Sequence, residues 1–295
     1  MQYIGEIAAL SAAFFWATSS FVFTAASARI GTIQLNIARL VVAAILLVIT
    51  IIVLEIDYSM TDTQLIYLIL SGFIGLVIGD SFLFKAFETI GPRISMLIMS
   101  SSPAISSIVA YYALAEELSF LGIVGIVVTL TGIGLVILEK NRANLNFQFS
   151  LKGLIYAFIG ATGQAVGLIL AKYAFLEGEV HSLSATFVRI VAAILLLLPL
   201  AYFSGRLKNP FKLFTKDKKA LRLVMIGSVL GPYMGITASF IAVVNVEVGI
   251  AATLMSTVPI IMIPLSYIIY KEKLTVISVV GAFVAVGGVS LLFML

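Results

Sequence analysis

The sequence contains no cysteine, a single histidine and a single tryptophan, and only 11 % of its 295 residues are charged. The absence of cysteine excludes disulfides and thiolate metal sites. The scarcity of charge is more informative, because an ordinary soluble domain has about 25 % charged residues. With 61 % hydrophobic residues, the chain has more apolar side chain than a soluble core of this length can bury. The expected solvent is therefore lipid.

Apolar runs long enough to cross a bilayer recur along the chain. A membrane-spanning helix needs about 20 apolar residues, and a helix satisfies its own backbone polar groups in lipid. The predicted fold class is an all-α membrane protein with ten transmembrane helices. The first run lacks a basic n-region and exceeds a typical h-region, so we expect it not to be a cleaved signal peptide. The predicted spans are Ile4–Ala26, Thr32–Leu54, Gln64–Phe87, Ile94–Leu114, Phe120–Leu138, Leu151–Ala174, Leu183–Phe203, Leu221–Val244, Val248–Tyr270 and Val276–Leu295.

The basic residues are distributed unevenly between the predicted loops. Fourteen of the eighteen lysines and arginines lie in or beside odd-numbered loops, and the even-numbered loops hold acids such as Glu116, Glu117 and Glu247 instead. By the positive-inside rule, the odd-numbered loops are expected to be cytoplasmic and both termini to lie outside. This distribution accounts for the net charge of +4 better than nucleic-acid binding does. We expect a multi-pass protein of the plasma (inner) membrane.

The second half of the sequence repeats the first. The repeat predicts two five-span domains, residues 1–140 and 150–295, and an odd number of spans forces the second to enter the membrane inverted. The segment "GLVIG" from Gly75 matches "GPYMG" from Gly231. Three further pairs share the offset of 156 residues: Pro103 and Pro259, Gly125 and Gly281, and Gly132 and Gly288.

These elements resemble the EamA-type branch of the drug/metabolite transporter superfamily. The features that match are an early-span tryptophan, an arginine early in each second span, and a proline followed by an acidic loop and a glycine. The resemblance covers the whole chain and implies ten helices and the export or exchange of small metabolites, driven by proton or substrate gradients. Such proteins are often drawn with cytoplasmic termini, whereas the loop charges here indicate the reverse. The matching residues are Trp16, Arg39, Arg189, Pro103…Glu116–Glu117…Gly125 and Pro259…Glu272…Gly281.

Arg39 and Arg189 each lie about six residues into a span, roughly 9 Å along the helix axis. Polar and small neighbours at helical spacing, such as Asn36 and Thr186, favour a face packed against other helices. An intramembrane charge on such a face is a functional candidate, and the alternative is a side chain that snorkels to the headgroups. Inversion would place Arg39 nearer the cytoplasmic side and Arg189 nearer the outer side, as two gates or entry sites around a shared midplane pocket.

The fourth and ninth spans each place hydroxyl groups beside a proline. A proline within a helix frees the carbonyl four residues earlier, and a freed carbonyl beside hydroxyls predicts a polar patch at the midplane, where such carriers bind substrate. The alternative is a kink whose hydroxyls only satisfy the backbone. The candidate substrate-binding residues are Ser100, Ser107 and Tyr111 in the fourth span and Ser256 and Tyr267 in the ninth.

Asp80 is the acid predicted to lie well inside the bilayer, and the equivalent residue of the second repeat is Ile236. An unrepeated intramembrane carboxylate is a candidate proton site or a partner for a substrate amine. The alternative is a static partner for Arg39 or Lys85. Gln164 and Trp16, each in mid-span, could line the cavity from opposite repeats, although a lone tryptophan often serves packing.

Small residues form one stripe on each of the fifth and tenth spans. Such stripes let helices approach closely, and they predict either scaffolding or a contact in a homodimer. The stripes are Gly125, Thr129 and Gly132 in the fifth span and Gly281, Ala285 and Gly288 in the tenth.

The function predicted is a secondary transporter that exports or exchanges a small polar metabolite, such as an amino acid, by alternating access. The paired arginines also permit an anion exchanger for phosphorylated sugars or nucleotide sugars, and a channel is a further alternative. An enzyme is not expected, because the single histidine, His181, lies in a loop and no hydrolase or metalloprotease motif is present. We predict no cofactor, no metal and no nucleic-acid partner; protons are a possible coupling partner.

Overall fold

The computed structural model describes residues 3–113, 119–143, 150–246, 248–271 and 274–292, and the regular elements in these ranges are all helical. The acidic-loop residues Glu116, Glu117, Glu247 and Glu272 lie outside the described residues, as do the predicted span ends Leu114 and Leu295.

Each repeat consists of α-helices interrupted by one π-helical segment, which we call π1 and π2. The first repeat contains α1 (Ile4–Ile30), α2 (Thr32–Val53), α3 (Asp62–Gly72), π1 (Phe73–Gly79), α4 (Asp80–Ile90), α5 (Pro92–Met99), α6 (Ser102–Ala113) and α7 (Phe120–Ala143). The second contains α8 (Leu151–Leu176), α9 (Ser182–Phe203), α10 (Pro210–Lys216), α11 (Lys218–Ser228), π2 (Val229–Gly235), α12 (Ile236–Asn245), α13 (Val248–Met255), α14 (Val258–Tyr270) and α15 (Val276–Leu292).

Nine helical stretches of the described chain are long and apolar enough to cross a membrane. The third runs through α3, π1 and α4 from Asp62 to Ile90, and the eighth runs through α11, π2 and α12. The tenth predicted span corresponds to α15, which is shorter at seventeen residues. The prediction of an all-helical membrane protein is confirmed, and the exact count of ten stays a prediction.

The third span begins two residues earlier than the predicted start at Gln64. Thr61 accepts a hydrogen bond from the Gln64 backbone N–H at 3.2 Å, and the Gln64 side chain accepts one from the Thr61 backbone N–H at 2.9 Å. This reciprocal pair is a capping box, which satisfies two backbone donors that a helix start leaves unpaired. The helix therefore starts at Asp62, directly after its cap.

The proline-containing spans are broken rather than kinked. α5 ends at Met99 and α6 begins at Ser102, and in the second repeat α13 ends at Met255 and α14 begins at Val258. Both prolines fall in the first turn of the following helix, where a missing backbone donor costs nothing. The two breaks lie 156 residues apart, at equivalent positions, so the repeat is present in the backbone as well as in the sequence.

The small-residue stripes of α7 and α15 face each other within the chain. A Cβ added to Gly132 would lie 2.7 Å from the Gly281 carbonyl oxygen and 2.8 Å from the Ala285 Cα. A Cβ added to Gly125 would lie 2.7 Å from the Gly288 carbonyl oxygen. The two backbones are therefore almost in contact, as small-residue packing allows. The structure thus uses both stripes for internal packing, which is the scaffolding alternative.

The first helix of each repeat packs against the other repeat. α1 contacts α11, π2, α12, α13 and α14, whereas α8 contacts α3, π1, α4, α5 and α6. The second helices, α2 and α9, contact each other. Because the first helix of each repeat packs within the other repeat, side chains from both repeats lie next to one another in the interior.

The segment between α9 and α11 of the second repeat is hydrogen-bonded to the first repeat. Arg29 Nε and Nη2 donate to the Asp217 carboxylate at 2.7 and 3.0 Å. Lys208 Nζ donates to the Ile30 carbonyl oxygen at 3.2 Å, and Gln34 Nε2 donates to the Arg206 carbonyl oxygen at 2.5 Å. The hydrogen bonds from Arg29, together with one from the Ala220 backbone N–H, hold the pKa of Asp217 below its ordinary value.

Candidate functional site

The site is built around π1, where the backbone departs from α-helical hydrogen bonding. The Asp80 backbone N–H donates to the carbonyl oxygen of Gly75, five residues earlier. Two amide side chains also donate to carbonyls of this segment: Gln164 Nε2 to Gly75 at 3.1 Å and Asn36 Nδ2 to Leu76 at 2.9 Å. Segments of π-helix are rare and occur frequently at functional sites.

Asp80 directly follows π1 and is 6 % exposed. One carboxylate oxygen, Oδ2, is paired with Nη2 of Arg39, and the other, Oδ1, accepts a hydrogen bond of 2.7 Å from Gln164 Nε2. The two donors come from different repeats, because Gln164 lies on α8. The carboxylate therefore joins the two halves of the chain, and its partner is Arg39 rather than Lys85.

Arg39 is fixed by hydrogen bonds and by aromatic contacts. Its Nε and Nη2 donate to Asn36 Oδ1 at 3.0 and 2.9 Å, and its guanidinium carbon lies 4.8 Å from the ring centroid of Phe84 and 5.6 Å from that of Phe23. A guanidinium over an aromatic face gains cation–π stabilisation, and more so when it is shielded from solvent. A snorkelling side chain would be exposed, whereas Arg39 is 5 % exposed.

Arg189 lies on α9 and is 7 % exposed. It interacts electrostatically with Asp80, but its Nε has no hydrogen-bond partner among the residues that the structure describes. A methyl group on Gly75 would lie 3.4 Å from Arg189 Nη2, 3.8 Å from Gln164 Oε1 and 3.8 Å from the Gly163 carbonyl oxygen. The guanidinium therefore faces the backbone of π1 across a glycine.

The two arginines meet at one site, although the inverted repeat predicted separate gates. Their helices supply the residues at the same register, seven positions after Thr32 and seven after Ser182. Because both side chains are long and α2 packs against α9, each guanidinium reaches the surroundings of Asp80. We call Asn36, Arg39, Asp80, Gln164 and Arg189 the polar cluster.

Lys85, the other candidate partner of Asp80, lies against aromatic rings. Its Nζ is 5.0 Å from the Phe82 ring centroid and 5.5 Å from the Tyr156 ring centroid. The ammonium group of Lys85 therefore contacts these two rings rather than the Asp80 carboxylate.

The predicted hydroxyl face of the fourth and ninth spans does not join the polar cluster. Each serine donates to a carbonyl of its own helical segment: Ser100 to Leu97 at 2.5 Å, Ser107 to Pro103 at 3.0 Å and Ser256 to Thr253 at 2.7 Å. Tyr111 and Tyr267 are 49 % and 63 % exposed, so their rings are not packed in the interior with the polar cluster. These contacts correspond to the alternative in which the hydroxyls satisfy the backbone.

Trp16, on α1 of the first repeat, packs against π2, which is the second repeat's equivalent of π1. A Cβ on Gly235 would be 2.6 Å from the indole Nε1 of Trp16, so the ring packs on the end of π2. Trp16 also contacts the apolar core formed by Ala13, Val258 and Met262. The tryptophan therefore opposes π2 as Gln164 opposes π1.

Asn36, a member of the polar cluster, and Gly75 and Ser81, which are hydrogen-bonded to it, were not chosen as candidate site residues from the sequence. Asn36 bridges Arg39, the Leu76 carbonyl and the Ser81 hydroxyl, the last at 3.1 Å. The available signal was the i, i+3 spacing of Asn36 and Arg39, which puts both on one helix face. Ser81 carries no such signal, because only the tertiary packing of α2 on α4 brings it near.

The fold and the buried charges together define a multi-pass membrane protein made of two similar repeats. The chain belongs to the EamA-like transporter family, whose family model matches residues 3–138 and again residues 151–294. Members of this family are transporters, not enzymes. No curated protein matches the chain significantly. A crystal structure with 15 % sequence identity aligns with 99 % of this chain and 96 % of its own at a TM-score of 0.71, which supports the fold alone.

Proposed function

We propose that the protein is a secondary transporter that moves a small polar metabolite, such as an amino acid, by alternating access. The observation that carries this proposal is the polar cluster, which places two arginines and one aspartate in the interior of a membrane protein. Each intramembrane charge costs about 2.5–3.5 kcal/mol on insertion scales. Such a cost is retained where the charges serve transport, and the cluster lies where both repeats contribute side chains.

The proposal includes inversion of the second repeat, with residues 1–140 and 150–295 as the two units. An inverted repeat provides two similar halves around one site, so that rocking one half against the other exposes the site to each side in turn. Arg39 and Asp80 come from the first unit, and Gln164 and Arg189 come from the second. Movement between the units would therefore change the contacts of Asp80 directly.

Counterflow in proteoliposomes tests the transport function. Vesicles loaded with a mixture of unlabelled amino acids are placed in trace labelled amino acid, and a carrier gives transient, saturable accumulation of label. Asp80→Asn should abolish accumulation driven by a proton gradient while it leaves exchange intact, if Asp80 carries a coupling proton. A flux that neither saturates nor depends on internal substrate would identify a channel and overturn the proposal.

The proposed orientation places the odd-numbered loops in the cytoplasm. Because the chain contains no cysteine, a single cysteine at Lys216 or at Asp57 can be labelled without background. We expect a membrane-impermeant thiol reagent to label position 57 but not position 216 in intact cells. Labelling of position 216 would reverse the orientation without affecting the transport proposal.

A further inference from the structure

The polar cluster has one more positive than negative group. Arg39 and Arg189 are both cationic, and Asp80 is the acid of the cluster. Both oxygens of Asp80 are already engaged, one by Arg39 and one by Gln164. The carboxylate therefore compensates Arg39, and the cluster retains one uncompensated positive charge at Arg189.

Arg189 combines burial with an unused hydrogen-bond donor, as expected for a residue that binds an anion. It is more than nine-tenths buried, and its Nε has no hydrogen-bond partner among the described residues. Leaving a charged donor buried and unpaired is costly, because its hydration is lost without replacement. Gly75 contributes no side chain against Nη2, where a methyl group would sit at 3.4 Å. A methyl group at this buried glycine would touch Nη2, Gln164 Oε1 and the Gly163 carbonyl oxygen, so the guanidinium and the π1 backbone are separated by little more than the space that the missing side chain leaves.

We propose that Arg189 binds the carboxylate of the substrate and that the site prefers an anion with a single negative charge. A guanidinium presents a planar fork of donors that matches a carboxylate. One negative charge makes the cluster neutral, whereas a phosphate ester with two charges would reverse the sign of the excess inside the membrane, where net charge is unfavourable. This inference rests on the proposed transport function and specifies its substrate class. A zwitterionic amino acid offers the same carboxylate but no net negative charge, so it should bind more weakly than a hydroxy acid.

Thermal unfolding of the purified protein, followed by the fluorescence of Trp16, tests this inference. The probes are lactate, which carries a carboxylate, glycerol, which is uncharged, and glycerol 3-phosphate, which carries a phosphate. A ligand that binds only the folded state raises the unfolding temperature. We expect lactate to raise it, glycerol to leave it unchanged, and glycerol 3-phosphate to act more weakly than lactate at equal concentration.

Matched variants assign any effect to Arg189. Arg189→Gln should weaken lactate binding about tenfold or more, since a hydrogen bond to a charged group is lost. Lys85→Gln removes the same charge from another in-span position and should leave lactate binding unchanged. Gly75→Ala fills the space beside Arg189 Nη2 without altering charge and should also weaken binding, whereas Gly287→Ala, whose Cβ would meet nothing within 4 Å, should not.

The outcomes separate this inference from the transport function. Equal lactate binding by wild type and Arg189→Gln, or tighter binding of glycerol 3-phosphate than of lactate, overturns the anion site. If counterflow occurs with substrates that lack a carboxylate and lactate has no effect, the protein is a carrier and the anion site is wrong. Lactate binding that requires Arg189, in a protein without counterflow, supports the anion site and removes the transport function.

Discussion

π1 and π2 interrupt the third and eighth spans at positions 156 residues apart, yet their surroundings differ. π1 is followed by Asp80 and accepts hydrogen bonds from Asn36 and Gln164. π2 is followed by Ile236, and its glycines face Trp16 and Phe23. π2 forms without an acid and contains Pro232, so a carboxylate is not required for a π-helical segment at this place in the repeat. The π-helical segment is therefore common to both repeats, whereas the buried acid and its amide partners lie at π1 of the first repeat.

Asp80→Asn should have the largest effect on this comparison. The change removes the only carboxylate of the polar cluster and leaves two buried guanidinium groups, so we expect a loss of about 3–5 kcal/mol of stability. The equivalent change in the second copy, Ile236→Val, should cost at most about 1 kcal/mol. Chemical denaturation in detergent micelles measures both, and similar losses in the two variants would contradict the asymmetry.

The two arginines should differ in stability but not in transport. Arg39→Gln removes an ion pair and two hydrogen bonds and should destabilise the protein by about 1.5–3 kcal/mol. Arg189→Gln removes a guanidinium whose Nε has no hydrogen-bond partner in the described part of the chain and should leave stability unchanged or raise it. Both variants should lose most counterflow, and lysine at either position should restore only part of it, because the fork of donors is lost. Native transport rates in both glutamine variants would remove the arginines from the mechanism.

Gly72 and Ser228 occupy equivalent positions just before π1 and π2, and exchanging their residues should give unequal effects. A Cβ at Gly72 would collide with the backbone carbonyl of Arg189, so Gly72→Ser should cost about 1–3 kcal/mol through overpacking. Ser228 is buried and donates to the Val224 carbonyl at 2.7 Å; Ser228→Gly should cost about 0.5–1 kcal/mol, mainly in backbone entropy. The shift in unfolding temperature relative to wild type, measured for each variant, compares the two effects. A tolerated serine at position 72 would show that α3 and α9 can separate.

Asp217→Asn should have the smallest effect, since the Arg29–Asp217 pair is exposed and such pairs contribute little. The pKa of Asp217 is lowered from its ordinary value of 3.8, so its contribution is present above that value and is lost as pH falls through the folded pKa. The variant should therefore unfold at a slightly lower temperature than wild type at neutral pH, and the difference should shrink as the pH falls through the folded pKa. A difference that persists in acid would assign the effect to the α11 cap instead.

Sequence reasoning anticipated the membrane environment, the two repeats and the burial of Arg39 and Arg189 on packed helix faces, because each leaves a periodic or compositional trace. The π-helical segments leave none, since hydropathy is the same for α and π geometry. The partnership of Asp80 with Gln164 joins residues 84 positions apart and in different repeats, which only tertiary packing determines. The capping box at Thr61 was readable from "TDTQ" and would have corrected the start of the third span.

The close packing of α7 on α15 has a consequence for how the chain is made in the cell. α7 leaves the ribosome long before α15, and its glycine face has no partner until the last helix has entered the bilayer. α1 likewise must wait for α11 to α14. The first repeat therefore cannot complete its packing during synthesis until α15 has entered the membrane. A chain cut after residue 270 should be inserted into the membrane and then degraded, even though it retains every residue of the polar cluster.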